Sequence, residues 1–108
     1  MATLTVQQAT IAGVTPTFVA VAASDVFANN GKTYIEVKNG NAGADTVAID
    51  SLVACNQGTD HDGGGSVPAT TGDKIFGPFD PTRFNNANGQ VTITHSVTAT
   101  VTCTVFTL

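Results

Sequence analysis

Residues 91–105 read VTITHSVTATVTCTV, and this stretch decides the fold class. Val91, Ile93 and Val105 occupy odd-numbered positions, whereas almost every even-numbered position is Thr. Such alternation is typical of β-strands with one buried face. A single strand of this length would exceed the usual range of about 3–10 residues. We therefore predict a break near Ser96–Thr98 and two strands that form a hairpin.

The same alternation appears in the centre of the chain. Lys32–Asn39 predicts the clearest central strand, with Tyr34, Glu36 and Lys38 on one face and mainly apolar residues on the other. Asp45–Ser51 predicts another strand. Because only a short Gly- and Asn-rich turn separates the two, we predict that they pair as a hairpin.

The composition favours an all-β domain, since the abundant Thr and Val have branched side chains that suit strands. Further elements are predicted as strands at Thr3–Val6, Thr15–Ala22 and Lys74–Phe79, an edge strand or turn at Val67–Asp73, and one helical turn at Asp80–Phe84. The Gly-rich segment 52–66 predicts a flexible surface loop. We expect one domain, residues 1–108, folded as an antiparallel β-sandwich of about seven or eight short strands, Ig-like or jelly-roll-like.

The charge balance limits the classes of partner. Four Lys and Arg residues stand against eight Asp and Glu, the net charge is −4, and only 11% of residues are charged. The few basic side chains argue against nucleic acid, and no apolar run approaches the roughly 18–20 residues of a membrane-spanning helix. No signal-peptide pattern is present, so we expect synthesis in the cytoplasm. A weakly charged surface favours self-association.

The densest polar cluster is Asp60-His61-Asp62, within the Gly-rich segment. Carboxylates and imidazole bind divalent cations, but adjacent residues converge poorly on one ion, and the spacing of a calcium loop is absent. Cys55 and Cys103 lack the short spacing of a zinc site even when both histidines are included. We predict no metal site and no cofactor. Cys103 is expected to be a small buried residue, and a disulfide to Cys55 stays open.

No arrangement of residues points to catalysis. None of the serines lies in a GxSxG motif. Asp73 and Asp80 flank a short strand and could form an acid pair, but a single Glu and no surrounding pattern give little support to a glycosidase. His95 lies on the inward row, where we expect a hydrogen-bonded histidine near a strand end or a subunit contact. We predict that the chain is not an enzyme and has no catalytic residues.

Three phenylalanines lie close in sequence to Pro78 and Pro81. Phe76, Phe79 and Phe84 are predicted to plug the core beneath a turn. The alternative is that they anchor the chain in a neighbouring subunit, because aromatic residues dominate the hot spots of interfaces.

Several short motifs, mostly at turns and strand starts, are distributed along nearly the whole chain. They are ATLTVQ (2–7), VTPTF (14–18), FANNGKT (27–33), VKNG (37–40), VPA (67–69), IFGPF (75–79) and FNNANGQVTI (84–93). Together they resemble a group of small β-rich virion proteins of tailed bacteriophages, of the capsid decoration or cement type. The segment Cys55–Ser66 has no fixed counterpart in that pattern.

The resemblance implies a structural protein on the outer capsid surface of the virion. Such proteins bind the major capsid protein at symmetry axes, often as trimers, and reinforce the head through many small contacts that act together. It therefore implies the major capsid protein as partner, and self-association with a trimer favoured over a dimer. Two alternatives stay open: a head–tail or tail component, and a surface-displayed module that binds sugar or metal.

Overall fold

The computed structural model describes residues 2–53 and 61–108. Within them lie ten strands and one short helix: β1 (Ala2–Thr3), β2 (Val6–Gln8), β3 (Val19–Ala20), β4 (Ser24–Ala28), β5 (Thr33–Asn39), β6 (Asp45–Ile49), β7 (Gly63–Val67), β8 (Gly72–Phe76), α1 (Pro81–Phe84), β9 (Gln90–His95) and β10 (Val101–Thr107). The first sheet has the order β1-β4-β9-β6-β7. The second has the order β2-β10-β5-β8, and β3 also pairs with β10.

The two sheets pack face to face, which confirms the predicted all-β sandwich. The molecule measures 37 × 36 × 20 Å, and its short dimension fits two sheets about 10 Å apart. Both sheets are mixed rather than purely antiparallel, because β1 runs parallel to β4 and β2 runs parallel to β10. No described helix is long and apolar enough to cross a membrane.

Alternation along the strands determines which side chains enter the core. In β5, Ile35 and Val37 are fully buried while Lys38 is exposed, and in β9 Val91 and Ile93 are fully buried. The apolar rows of the two sheets meet in one cluster. Each fully buried side chain of this kind contributes roughly 1.5–3 kcal/mol. The interior row of Val and Ile is therefore the main source of stability.

Both predicted hairpins are wrong. β5 pairs with β10 and β8, whereas β6 pairs with β9 and β7 in the other sheet. The chain does break after His95 as predicted, but β9 and β10 then lie in different sheets. Alternation indicates which face of a strand is buried and not which strand lies beside it, so it cannot separate a hairpin from a connection that crosses between sheets.

The N-terminal segment also crosses between the sheets. Instead of one strand at Thr3–Val6, the chain forms β1 in the first sheet and β2 in the second, with Leu4 buried between them. The fully buried Asp25 accepts hydrogen bonds from the backbone N–H of Ala2 (3.1 Å) and of Ala22 (3.0 Å). One carboxylate therefore fixes the start of the segment. The predicted strand at Thr15–Ala22 is reduced to the two residues of β3.

Part of the predicted Gly-rich loop is a strand. Gly63–Val67 forms β7 and pairs with β6, so the loop prediction for 52–66 is wrong at its end, while residues 54–60 lie outside the described part. Gly64 adopts a φ of +112°, and a Cβ at this position would lie 2.2 Å from the carbonyl oxygen of Val47. Glycine alone fits this approach, which explains the glycine at position 64 of this edge strand.

The predicted helical turn is confirmed as α1. Asp80 is its N-cap and accepts a hydrogen bond from the N–H of Thr82 at 3.0 Å. The turn places Phe84 in the core, where Phe79 meets both Phe27 and Phe84 at ring-centroid distances of 5.7 Å. Phe76 is partly buried against the same cluster. The prediction that these phenylalanines plug the core is confirmed for Phe79 and Phe84, and Phe76 packs against them from a partly buried position.

Candidate functional site

The outward-facing side of the second sheet, hereafter the outer face, combines aromatic, aliphatic and charged side chains. Tyr34, Glu36 and Lys38 share this side of β5, as predicted, and pairing places Phe106 beside Tyr34 and Ile75 beside Glu36. The rings of Tyr34 and Phe106 stack, with centroids 5.5 Å apart and planes 11° apart. Ile75 is 59% exposed. The outer face therefore presents apolar surface with charges beside it.

Two carboxylates interact on the outer face. Asp73 lies opposite Lys38 in the register and diagonal to Glu36. Burial raises the pKa of Glu36, its interaction with the Asp73 carboxyl raises it further, and the charge of Lys38 lowers it. Asp80, the acid considered as a partner for Asp73 and found to have little support, caps α1 instead. Glu36 lies near Asp73 because β5 pairs with β8, which no local sequence pattern indicates.

Residues 9–18 form a strap that connects β2 to β3 and lies against the outer face. Gln7 holds this strap with its whole amide group. Its Oε1 accepts hydrogen bonds from the N–H of Thr17 (3.0 Å) and the hydroxyl of Thr104 (2.9 Å), and its Nε2 donates to the carbonyl of Thr15 (3.2 Å). The strap is not a strand, so the side chain of Gln7 supplies the kind of hydrogen bonds that strand pairing would otherwise provide.

The strap carries an exposed apolar tip. The N–H of Gly13 donates to the carbonyl of Thr10 at 3.0 Å, and the Thr10 hydroxyl donates to the carbonyl of Gly13 at 3.1 Å. These two bonds close a turn in which Gly13 has a φ of +90°. Ile11 lies within the turn with its side chain fully exposed, and Val14 follows with 45% exposure. A preformed turn with an exposed aliphatic residue is suited to insertion into another surface, since little ordering is needed on binding.

A cleft of about 450 Å³ opens where β2 and β3 meet the same edge of β10. Leu4, Val19 and Cys103 lie among its lining residues, none of which has a charged side chain. Cys103 is buried, as predicted, and its thiol is free. Burial raises the pKa of its thiol to about 12, and the charge of Asp25 adds to the effect. The thiol is therefore protonated and unreactive at neutral pH.

His95 forms a buried pair with Asp45. Its Nδ1 lies 2.6 Å from Oδ2 of Asp45, and neither side chain has accessible surface. The other carboxylate oxygen accepts a hydrogen bond from the N–H of Ser96 at 3.0 Å. The prediction of a hydrogen-bonded histidine at a strand end is confirmed for Nδ1, whereas Nε2 has no partner among the described residues. The pair is enclosed, so its geometry serves the fold rather than contact with a substrate.

The Asp60-His61-Asp62 cluster is only partly described, because Asp60 lies outside the described residues, as does Cys55. Asp62 accepts a hydrogen bond from the N–H of Ser51 at 3.1 Å. The backbone carbonyl of His61 accepts one from Arg83 at 2.6 Å. These bonds anchor the chain just before β7. Within residues 2–53 and 61–108, no three His, Cys, Asp or Glu side chains are grouped as metal ligands.

Comparisons with known proteins give no relative for this chain. No protein-family model matches it, and neither does any curated protein or solved structure. The functional interpretation therefore depends on the outer face, the strap and the motifs of the sequence.

Proposed function

We propose that this chain is a structural virion protein of the capsid decoration, or cement, type. It binds the outer surface of a tailed-bacteriophage head and stabilises the head by bridging subunits of the major capsid protein, without performing a reaction. The resemblance of its turn and strand motifs to such proteins supports this proposal. The small β-sandwich is compatible with it, because loops and faces of a rigid body serve as contact surfaces.

The observation that carries the proposal is the grouping of exposed apolar side chains on the outer face and strap. Ile11 and Val14 of the strap and Ile75 of the sheet are exposed, and the half-buried rings of Tyr34 and Phe106 lie on the same outer face. Burial of one such side chain contributes roughly 1.5–3 kcal/mol. Because many copies bind to one particle, many modest contacts together give firm attachment.

We also propose that the protein self-associates, with a trimer favoured over a dimer. Only 11% of its residues are charged, so electrostatic repulsion between copies is weak. A closed ring of identical subunits also matches the symmetry of a capsid axis. Sedimentation velocity over a range of protein concentrations tests this proposal, and a monomer at every concentration contradicts it.

Cryo-electron microscopy of the native particle from the same genome tests the location. We expect copies of the chain on the outside of the head, at symmetry axes, with the outer face or strap against the capsid. Density at the neck or tail would favour the alternative of a head–tail or tail component. Turnover of a small metabolite by the purified protein would overturn the structural role.

A binding assay with heads that lack the protein tests the contact surface. Ile11→Ser removes the apolar tip, and we expect binding to weaken about tenfold, because an exposed aliphatic side chain no longer becomes buried. Val53→Ser is the matched control: Val53 is 51% exposed but follows β6, in the other sheet. Equal binding by both variants would exclude the tip from the contact.

A further inference from the structure

The outer face contains a small dimple beneath the strap, with a volume of about 220 Å³. Val14, Pro16 and Phe106 give it apolar walls, and Gln7, Thr104 and Glu36 contribute polar groups. Binding pockets for small molecules usually measure about 300–1,000 Å³. The dimple is therefore the size of a single long side chain rather than of a free ligand.

Glu36 is the ionisable group in the dimple, and its carboxylate can accept further hydrogen bonds. The amide of Gln7 already binds Thr15, Thr17 and Thr104. A carboxylate offers about four acceptor positions, so Glu36 has capacity for a donor from a partner.

The charges around the dimple are unbalanced. Glu36 and Asp73 are two carboxylates, and Lys38 lies on the same side of β5 as Glu36 and opposite Asp73 in the register. Its ammonium lies 4.3 Å from the ring centroid of Phe18, where the aromatic ring also attracts it. Two carboxylates therefore stand against one ammonium on this part of the outer face. A second cation at this position would be favourable.

We propose that the dimple receives one basic side chain, an arginine or a lysine, from a partner protein. The aliphatic part of that side chain lies against Val14, Pro16 and Phe106, and its charged end donates hydrogen bonds to Glu36. Long basic side chains combine an apolar stem with a charged head, which matches apolar walls around a carboxylate. The inference does not depend on the partner being a capsid, since it follows from the dimple alone.

Nuclear magnetic resonance titration of the full chain with N-acetyl-arginine amide tests the proposal. We expect saturable shifts in the amide signals of residues that line the dimple. N-acetyl-citrulline amide has nearly the same shape without the charge, and we expect no saturable shift with it. Glu36→Gln should weaken arginine binding about tenfold, because a charge-assisted hydrogen bond is lost.

Asp80→Asn is the matched control, because it makes the same charge change at the N-cap of α1, where Asn also caps well. This variant should bind the arginine probe like the unchanged protein. The proposal is overturned if citrulline and arginine shift the same signals equally, or if Glu36→Gln binds normally while its spectrum shows an intact fold. Concentration-dependent shifts at the dimple without any probe would assign the site to a second copy of the chain instead. Because the isolated protein is used, these results are separate from the location of the chain in a virion.

Discussion

Asp45 and His95 lock the end of the first sheet, with Oδ2 of the carboxylate 2.6 Å from Nδ1 of the imidazole and both side chains fully enclosed. The same carboxylate binds the N–H of Ser96, where the chain leaves β9 for the other sheet. This connection was predicted to be a hairpin turn. The buried pair fixes the position of the chain after β9, as the turn of a hairpin would otherwise do.

Asp45→Ala should destabilise the protein by about 3–5 kcal/mol, because a buried partner is removed and His95 is left without its hydrogen bond. Urea unfolding followed by circular dichroism measures this change. Ser96→Ala removes an exposed hydroxyl that accepts from the N–H of Thr46 and should cost less than about 1 kcal/mol. A loss below 1 kcal/mol for Asp45→Ala would show that the pair is dispensable.

Gly64→Ala and Gly65→Ala should differ sharply although the two glycines are neighbours in β7. At Gly64, the φ of +112° and the contact with the Val47 carbonyl predict a loss of at least about 3 kcal/mol. At Gly65, the added carbon would lie 3.8 Å from the ring of Phe76, an ordinary contact, so we expect a change within about 1 kcal/mol. Thermal unfolding of the two variants compares them, and equal stability would contradict the geometry of β7.

Gln7→Ala should release the strap without unfolding the sandwich. Three hydrogen bonds are lost, each contributing about 0.5–1.5 kcal/mol. Hydrogen exchange at the Thr17 amide should become faster, because its acceptor is gone. Gln8→Ala, at an exposed neighbouring side chain, should leave this exchange unchanged. Protection of Thr17 in the Gln7 variant would mean that something other than the amide holds the strap.

Glu36→Gln should change how stability depends on pH. The folded-state pKa of Glu36 is raised above its ordinary value of 4.5, so the folded chain binds more protons than the unfolded chain just above that pH. The contribution of Glu36 to stability therefore increases as the pH falls from neutral towards 4.5. Relative to the unchanged protein, Glu36→Gln should be most stable at neutral pH, and the difference should shrink on acidification. If the difference in stability between Glu36→Gln and the unchanged protein did not depend on pH, the raised pKa would be contradicted. Asp80→Asn is the control for the loss of a surface charge.

The sequence predicted which face of each strand is buried more reliably than it predicted which strands pair with one another. The alternation in Lys32–Asn39 assigned each side chain to the core or the surface, because that depends only on the period of a strand. It did not reveal that β5 lies between β10 and β8, since pairing depends on contacts far along the chain. The strand at Gly63–Val67 was missed because glycine lacks strand propensity and is selected there by the close approach at Gly64.

The candidate site was predictable only in part, for the same reason. Tyr34, Glu36 and Lys38 were placed together because they alternate within one strand. Phe106, Ile75 and Asp73 join them through pairing registers that no local pattern contains. No sequence pattern indicates the hydrogen bonds by which the Gln7 side chain holds the strap.

Because the chain crosses between the sheets near its N-terminal end, residues 2–8 hold the two sheets of the sandwich together. β1 covers an edge of β4, and β2 covers an edge of β10, so one short peptide shields both sheets. A truncation of these residues would expose two unpaired borders at once and leave the carboxylate of Asp25 without one of its donors. The shortened chain would therefore be prone to aggregate through these strand edges.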